Sequence, residues 1–236
     1  TMKRFLISLA ALARCCVSSL ACGPMGETER YYMFCFCEHT FGENFDKSVG
    51  EFWTRYTGTD CSVYLSMDEC KKAAQRKGDT EMITYLANLN NYTEICRQLG
   101  DVWEYPTAKQ LADRKAQLTR CITTSTKYDT TGRYKERWQL LRMRAKMLLK
   151  NYQAHTTYWE QKASQMPEGE MKEMMKNIYA NALLNTNRRG AAWNIYAEQN
   201  DQQSLLWSVR KYTNLAGIKK LAMENPKCST ICYRLM

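Results

Sequence analysis

Four prolines and eleven glycines are all that punctuate these 236 residues. All-β sandwiches and barrels need frequent turns built from such residues, and alternating apolar patterning is poor here outside residues 31–37. An all-α chain is the expectation that remains. Histidine is rarer still. Only His39 and His155 occur, neither within a nucleophile motif, which removes the usual basis for a histidine-centred triad. HExxH, a phosphate-binding glycine loop and GxSxG are all missing, so the sequence assigns no catalytic residue and no cofactor. The first apolar run, Phe5 to Ala13, falls short of the roughly twenty residues that cross a bilayer.

What the chain does contain is a repeat. The stretch Leu183–Gln202, LLNTNRRGAAWNIYAEQNDQ, sets two apolar helical stripes around a short polar turn. Ala145, Leu148, Leu149 and Tyr158 stand thirty-five positions before Ala180, Leu183, Leu184 and Trp193. In the first copy Trp138, Leu141, Ala145, Leu148 and Tyr152 recur at helical spacing. Met171, Met174, Met175, Ile178 and Ala182 do so in the second. After a turn at Asn187–Gly190, Ala191, Ala192, Ile195 and Tyr196 form the next stripe. Asn200-Asp201 then caps a helix carrying Leu205, Leu206 and Val209. A lone hairpin of this size cannot cover its apolar face, whereas stacked hairpins cover one another. The expected architecture is a right-handed α-solenoid of antiparallel helical hairpins, with an irregular helical bundle as the alternative.

Residues 133–212 resemble tetratricopeptide-type repeats, with Ala180, Leu183, Ala192 and Tyr196 on the small and large positions of that pattern. The chain is also similar to exported helical-repeat proteins of Bacteroidales. That resemblance rests on Ala21–Pro24 (ACGP), Tyr31–Met33 (YYM), RRGAAWNIYAEQNDQQSL and KYTNLAGIK. It implies a fold and a location, and carries no activity with it.

The amino terminus points the same way. Lys3 and Arg4 precede the apolar run, and small residues lead to Ser19-Leu20-Ala21-Cys22, the order of a bacterial export signal. Simple cleavage after Ala21 and lipidation of Cys22 both fit, giving a periplasmic protein or an outer-membrane lipoprotein. The organisation read from the chain is a signal peptide at 1–21 and an irregular segment at 22–44. A helical block comes next at 45–128, then tetratricopeptide-like repeats at 129–225 and a tail at 226–236. The last helical pattern breaks at Asn225-Pro226 without a polar capping repeat, which suggests a truncated array.

The formal net charge is +10, and three of the positive charges, Lys3, Arg4 and Arg14, lie in the leader. Much of the rest falls between Arg133 and Lys150, opposed by Glu136. Spread around the polar arc, these residues suit a solvated helix surface, with a patch for an acidic partner as the alternative. Export argues against nucleic acid. Eight cysteines remain beyond Cys22, and Cys61–Cys70 and Cys228–Cys232 are candidate disulfides. Cys35, Cys37 and His39 alternate. Positions four apart along a strand are roughly 13 Å apart, too far for one zinc ion, so no metal is expected.

The expected function is a non-enzymatic scaffold that binds a protein, peptide or glycan at the cell envelope. Trp138, Arg142, Lys146, Lys150, Tyr158 and Trp159 are the candidate partner-binding residues. A carboxylate-based, glycan-processing enzyme is the alternative from another class. Glu168, Glu170 and Glu173, however, sit at a helix start, where the dipole accounts for them.

Overall fold

The computed structural model describes residues 50–60, 66–100, 105–212 and 214–228. The stretch at 1–21 read as a signal peptide, Cys22, the Cys35–His39 cluster, Cys61, Cys232 and the end of the tail lie outside the described residues. Within them the chain is all-helical. A helical stretch at 50–57 is followed by α1 (Met67–Arg76), α2 (Thr80–Gly100), α3 (Ala108–Tyr128) and α4 (Lys135–Leu148). Then come α5 (Tyr152–Gln161), α6 (Glu170–Asn185), α7 (Arg189–Glu198), α8 (Gln202–Val209) and α9 (Leu215–Glu224). No described helix is long and apolar enough to cross a membrane.

Packing runs mainly between chain neighbours. α3 lies on α4, α5 on α6 and α6 on α7, while α4 also packs on α6, the first helix of one hairpin against that of the next. The predicted stripes supply this core: Trp138, Leu141, Ala145, Met174, Met175, Ile178 and Ala182 are all buried. Two stripe positions turn outward instead. Ala191 and Leu206 are exposed, and Trp193 and Leu205 fill the interior beside them.

Among the described residues one turn recurs four times. Each joins two helices through three residues, 77–79, 149–151, 186–188 and 199–201, with the middle residue in the left-handed region: Gly78, Lys150, Asn187 and Asn200. In each, the third residue's N–H reaches back five positions, from Asp79 to Ala74, Asn151 to Lys146, Arg188 to Leu183 and Asp201 to Tyr196. That bond is the mark of a Schellman closure and satisfies a carbonyl at the helix end. In three of the four, the third residue also caps the next helix, Asp79 accepting from the Met82 N–H, Asn151 from Ala154 and Asp201 from Ser204.

This geometry corrects the sequence period. Lys135 and Glu170, which open α4 and α6, stand thirty-five positions apart, but Lys150 and Asn187 in the turns stand thirty-seven apart. The extra two residues lengthen α6. By place in the helix, Tyr158 therefore corresponds to Ile195 rather than Trp193, and His155 to Ala192. Gly190 is not part of the turn either. It lies in α7, where its N–H donates to Asn225 Oδ1 at 3.1 Å and a β-carbon would press on the same oxygen.

Candidate ligand-binding site

The basic run at 133–150 is only in part the solvated surface expected of it: Arg133, Lys135 and Lys150 are exposed. Arg137 and Arg144 are buried, with Arg137 lying 3.6 Å over the Phe52 ring and Arg144 reaching Met174 Sδ at 3.9 Å. Long arginine stems pack like apolar side chains while their heads find rings and sulfur, so they count as core. Burial holds the Arg137 guanidinium below its usual pKa.

Three of the six candidate partner-binding residues do meet, but they meet each other. Arg142 pairs with the buried Asp129 and sits 4.8 Å over the Tyr158 ring, while Lys146 lies 5.5 Å from the same ring. Gln139 Nε2 donates to the Asp129 carbonyl at 2.5 Å. Burial, then the Asp129 charge, pushes the Tyr158 hydroxyl pKa up. This is an internal strut between α3, α4 and α5. His155 closes its inner side, fully buried. Burial chiefly, against a hydrogen bond to the Lys146 backbone and with the Lys146 charge, lowers its pKa to about 4.

Trp138 and Trp159 are also interior. The Trp138 indole stacks on Tyr128 and donates to Glu81 Oε1 at 3.1 Å, and Trp159 stacks on Tyr179. Of the tryptophans in the repeat region, Trp207 stands out, 61% exposed on α8 beside exposed Leu206, with Arg210 3.5 Å over its ring.

The carboxylates that converge are likewise committed. Glu81 accepts from the N–H groups of Arg133 and Tyr134 at 2.9 and 3.0 Å, capping α4 from a distant helix. Beside it, Asp79 accepts from the hydroxyls of Tyr134 at 2.6 Å and Tyr56 at 3.2 Å, and from Arg133. Burial alone would raise the Asp79 pKa, but those bonds and the Arg133 charge outweigh it and hold the carboxyl below its usual range. Glu168 pairs with Lys172, and Glu173 accepts from Gln199. Among the described residues no group of three or more His, Cys, Asp or Glu could hold a metal ion. Burial pushes the free Cys121 thiol pKa up to about 12, which makes it a packing residue.

Lys150 is the one candidate residue at an open site. It lines a cleft of about 660 Å³ together with Ile95, Leu118, Leu148, Leu149 and Arg114. α3 forms one wall and the α4–α5 turn the other. Arg114 and Lys115 carry no signal of this role in the sequence. They sit on a mixed polar helix like many others, and the cleft draws on three elements far apart in the chain. Exposed Leu111, at 52%, is the one local hint.

No protein-family model, curated protein or solved structure matches this chain.

Proposed function

We propose that the protein is a non-enzymatic scaffold, a right-handed α-solenoid of tetratricopeptide-like hairpins, that holds a protein, peptide or glycan partner at the cell envelope. The observation that carries this reading is the order of packing. Helices contact their chain neighbours and the first helix of the adjacent hairpin, and four turns of one kind set that order. Stability in such an array comes from nearest neighbours, which leaves long surfaces open for a partner.

The carboxylates tied between helices favour a structural role. Asp129, Asp79 and Glu81 all serve as struts between helices, so none is held in reserve for proton transfer. Trp207 and Arg210 on the open side of α8 offer a ring and a cation of the kind enriched in binding hot spots. The charge order and small-residue junction of the amino terminus support a location outside the cytoplasm, in the periplasm or anchored to the outer membrane through Cys22.

Two measurements test this. Small-angle scattering of the chain without its leader should give a radius of gyration clearly above the about 17 Å of a compact domain of that length. A value at the compact figure would sink the solenoid. Intact mass of the exported protein should begin at Cys22, with added acyl mass if it is anchored. An unprocessed amino terminus would remove the envelope location.

A further inference from the structure

We infer that the cleft between α3 and the α4–α5 turn binds a single-chain amphiphile, an alkyl chain ending in an anionic head group. The inference does not depend on the array being a partner-holding scaffold. Its size comes first. A volume of about 660 Å³ falls within the range of small-ligand pockets. Its floor is apolar, made of Ile95, Leu118, Leu148 and Leu149, with Leu111 at the edge. Among the described residues its charged lining is Arg114, Lys115 and Lys150, with no carboxylate.

The second observation is the state of Arg114. Its Nε and Nη1 atoms are shielded from solvent and have no hydrogen-bond partner among the described residues. A guanidinium in that state lacks bonds that water or an acceptor would ordinarily supply. Other arginines of this chain meet carboxylates: Arg133 meets Asp79, Arg142 meets Asp129 and Arg188 meets Glu160. Arg114 has the same fork of donors, suited to two oxygens of one acid group, and belongs to the lining of a cleft that holds no carboxylate among the described residues.

A third observation concerns the opposite wall. Of the four Schellman turns, three place glycine or asparagine at the left-handed position, the residues that tolerate it. The turn lining the cleft places Lys150 there, at φ 56°. A strained backbone position given to a cation, at the rim of a cationic cleft, fits a local cost retained for a ligand. An alkyl chain would cover the leucine floor, and its acid group would meet Arg114, with Lys115 and Lys150 adding long-range attraction.

The test uses the full chain with its native ends, titrated calorimetrically below micelle-forming concentrations with dodecanoate, dodecyl phosphate, dodecanol and inorganic phosphate. Both anionic amphiphiles should bind saturably at one site, and dodecanol about tenfold more weakly or worse. Inorganic phosphate alone should compete poorly, which separates an anchored chain from a simple anion site. Arg114→Gln should weaken dodecanoate by about 10- to 100-fold. Arg120→Gln, an exposed change elsewhere on the same helix, should leave affinity and helicity as they were. Dodecanol binding as tightly as dodecanoate would overturn the inference. So would an Arg114→Gln protein of unchanged helicity and unchanged affinity, or a wild-type chain that takes up none of the four. Each of those results leaves the scattering test of the solenoid untouched, so the two readings fail separately.

Discussion

The hairpin α4–α5 and the hairpin α6–α7 share a turn and a helical phase, yet they are held by different chemistry. Arg142 and Asn177 occupy the same place, thirty-five positions apart, and each reaches a buried aspartate. Arg142 turns back to Asp129, which ends α3, and forms an ion pair. Asn177 reaches forward to Asp201, which caps α8, through a 2.9 Å amide bond, and it also donates to Gln199 at 3.1 Å. The first hairpin is thus tied to the helix before it, and the second to the helix after it. Apolar spacing sets the repeat, while the polar ties that lock one copy to its neighbours are particular to each copy. A buried ion pair makes the first joint sensitive to loss of either partner, whereas the amide joint is more forgiving.

The two joints can be compared directly by removing each tie. Arg142→Met leaves Asp129 buried without its cation and should lower stability in urea by about 3 kcal/mol or more. Asn177→Ala leaves Asp201 still accepting from Ser204 and should cost about 1–2 kcal/mol. Equal losses would erase the contrast. Gly132→Ala attacks the entry to the first hairpin, because a β-carbon there would lie 2.6 Å from Glu81 Oε1 and 2.7 Å from the Tyr128 carbonyl. About 3 kcal/mol should be lost, with the α4 amides exchanging sooner than those of α6 by hydrogen exchange.

Acid should also separate the two. His155 is buried in the first hairpin where the second has Ala192. Its folded pKa, about 4, lies below the unfolded value of about 6.5, so the folded state disfavours the proton. Its contribution is fully present above about pH 6.5 and is lost as pH falls toward 4, by about 3 kcal/mol in all. His155→Leu should remove that part of the pH slope in urea midpoints measured from pH 7.5 to 4.5. A variant with the parental slope would show that other groups carry it. The smallest effect is expected in the turns. Lys150→Gly should add about 1 kcal/mol by relieving the left-handed backbone, while Asn187→Gly should change the melting temperature little, since asparagine already tolerates that region.

Much of the helical framework was legible because its signals are local. The stripe Trp138–Leu141–Ala145 and its counterpart Met174–Ile178–Ala182 are both buried as their spacing predicts. The aspartate at 201 caps its helix as its position before an apolar run implies. The candidate site was less legible. Arg142, Lys146 and Tyr158 carry the pattern of outward-facing residues, yet they are bound to one another around Asp129, an aspartate more than ten residues away in sequence. Charge counted along a helix cannot say whether a partner waits on a neighbouring one, and Arg137 and Arg144 are buried for that reason. The period of thirty-five holds for the first helix of each hairpin but is short by two residues for the second, for a related cause, since apolar matches record helical phase but not helix length.

By itself, then, the sequence determined that this chain is helical, that its helices come in similar pairs and which faces they bury. Those properties arise from residue spacing within single helices, where the 3.6-residue period acts directly on neighbouring side chains. Only the tertiary structure decided which charges became struts and which were left facing a cleft. Asp129 and Arg142 cancel because α3 and α4 pack together, and Arg114 remains unmatched because no carboxylate of the described array comes within its reach. The difference is a matter of distance. Hydrophobic phase is written between adjacent turns, while electrostatic pairing depends on which helices the folded array brings within a few ångströms.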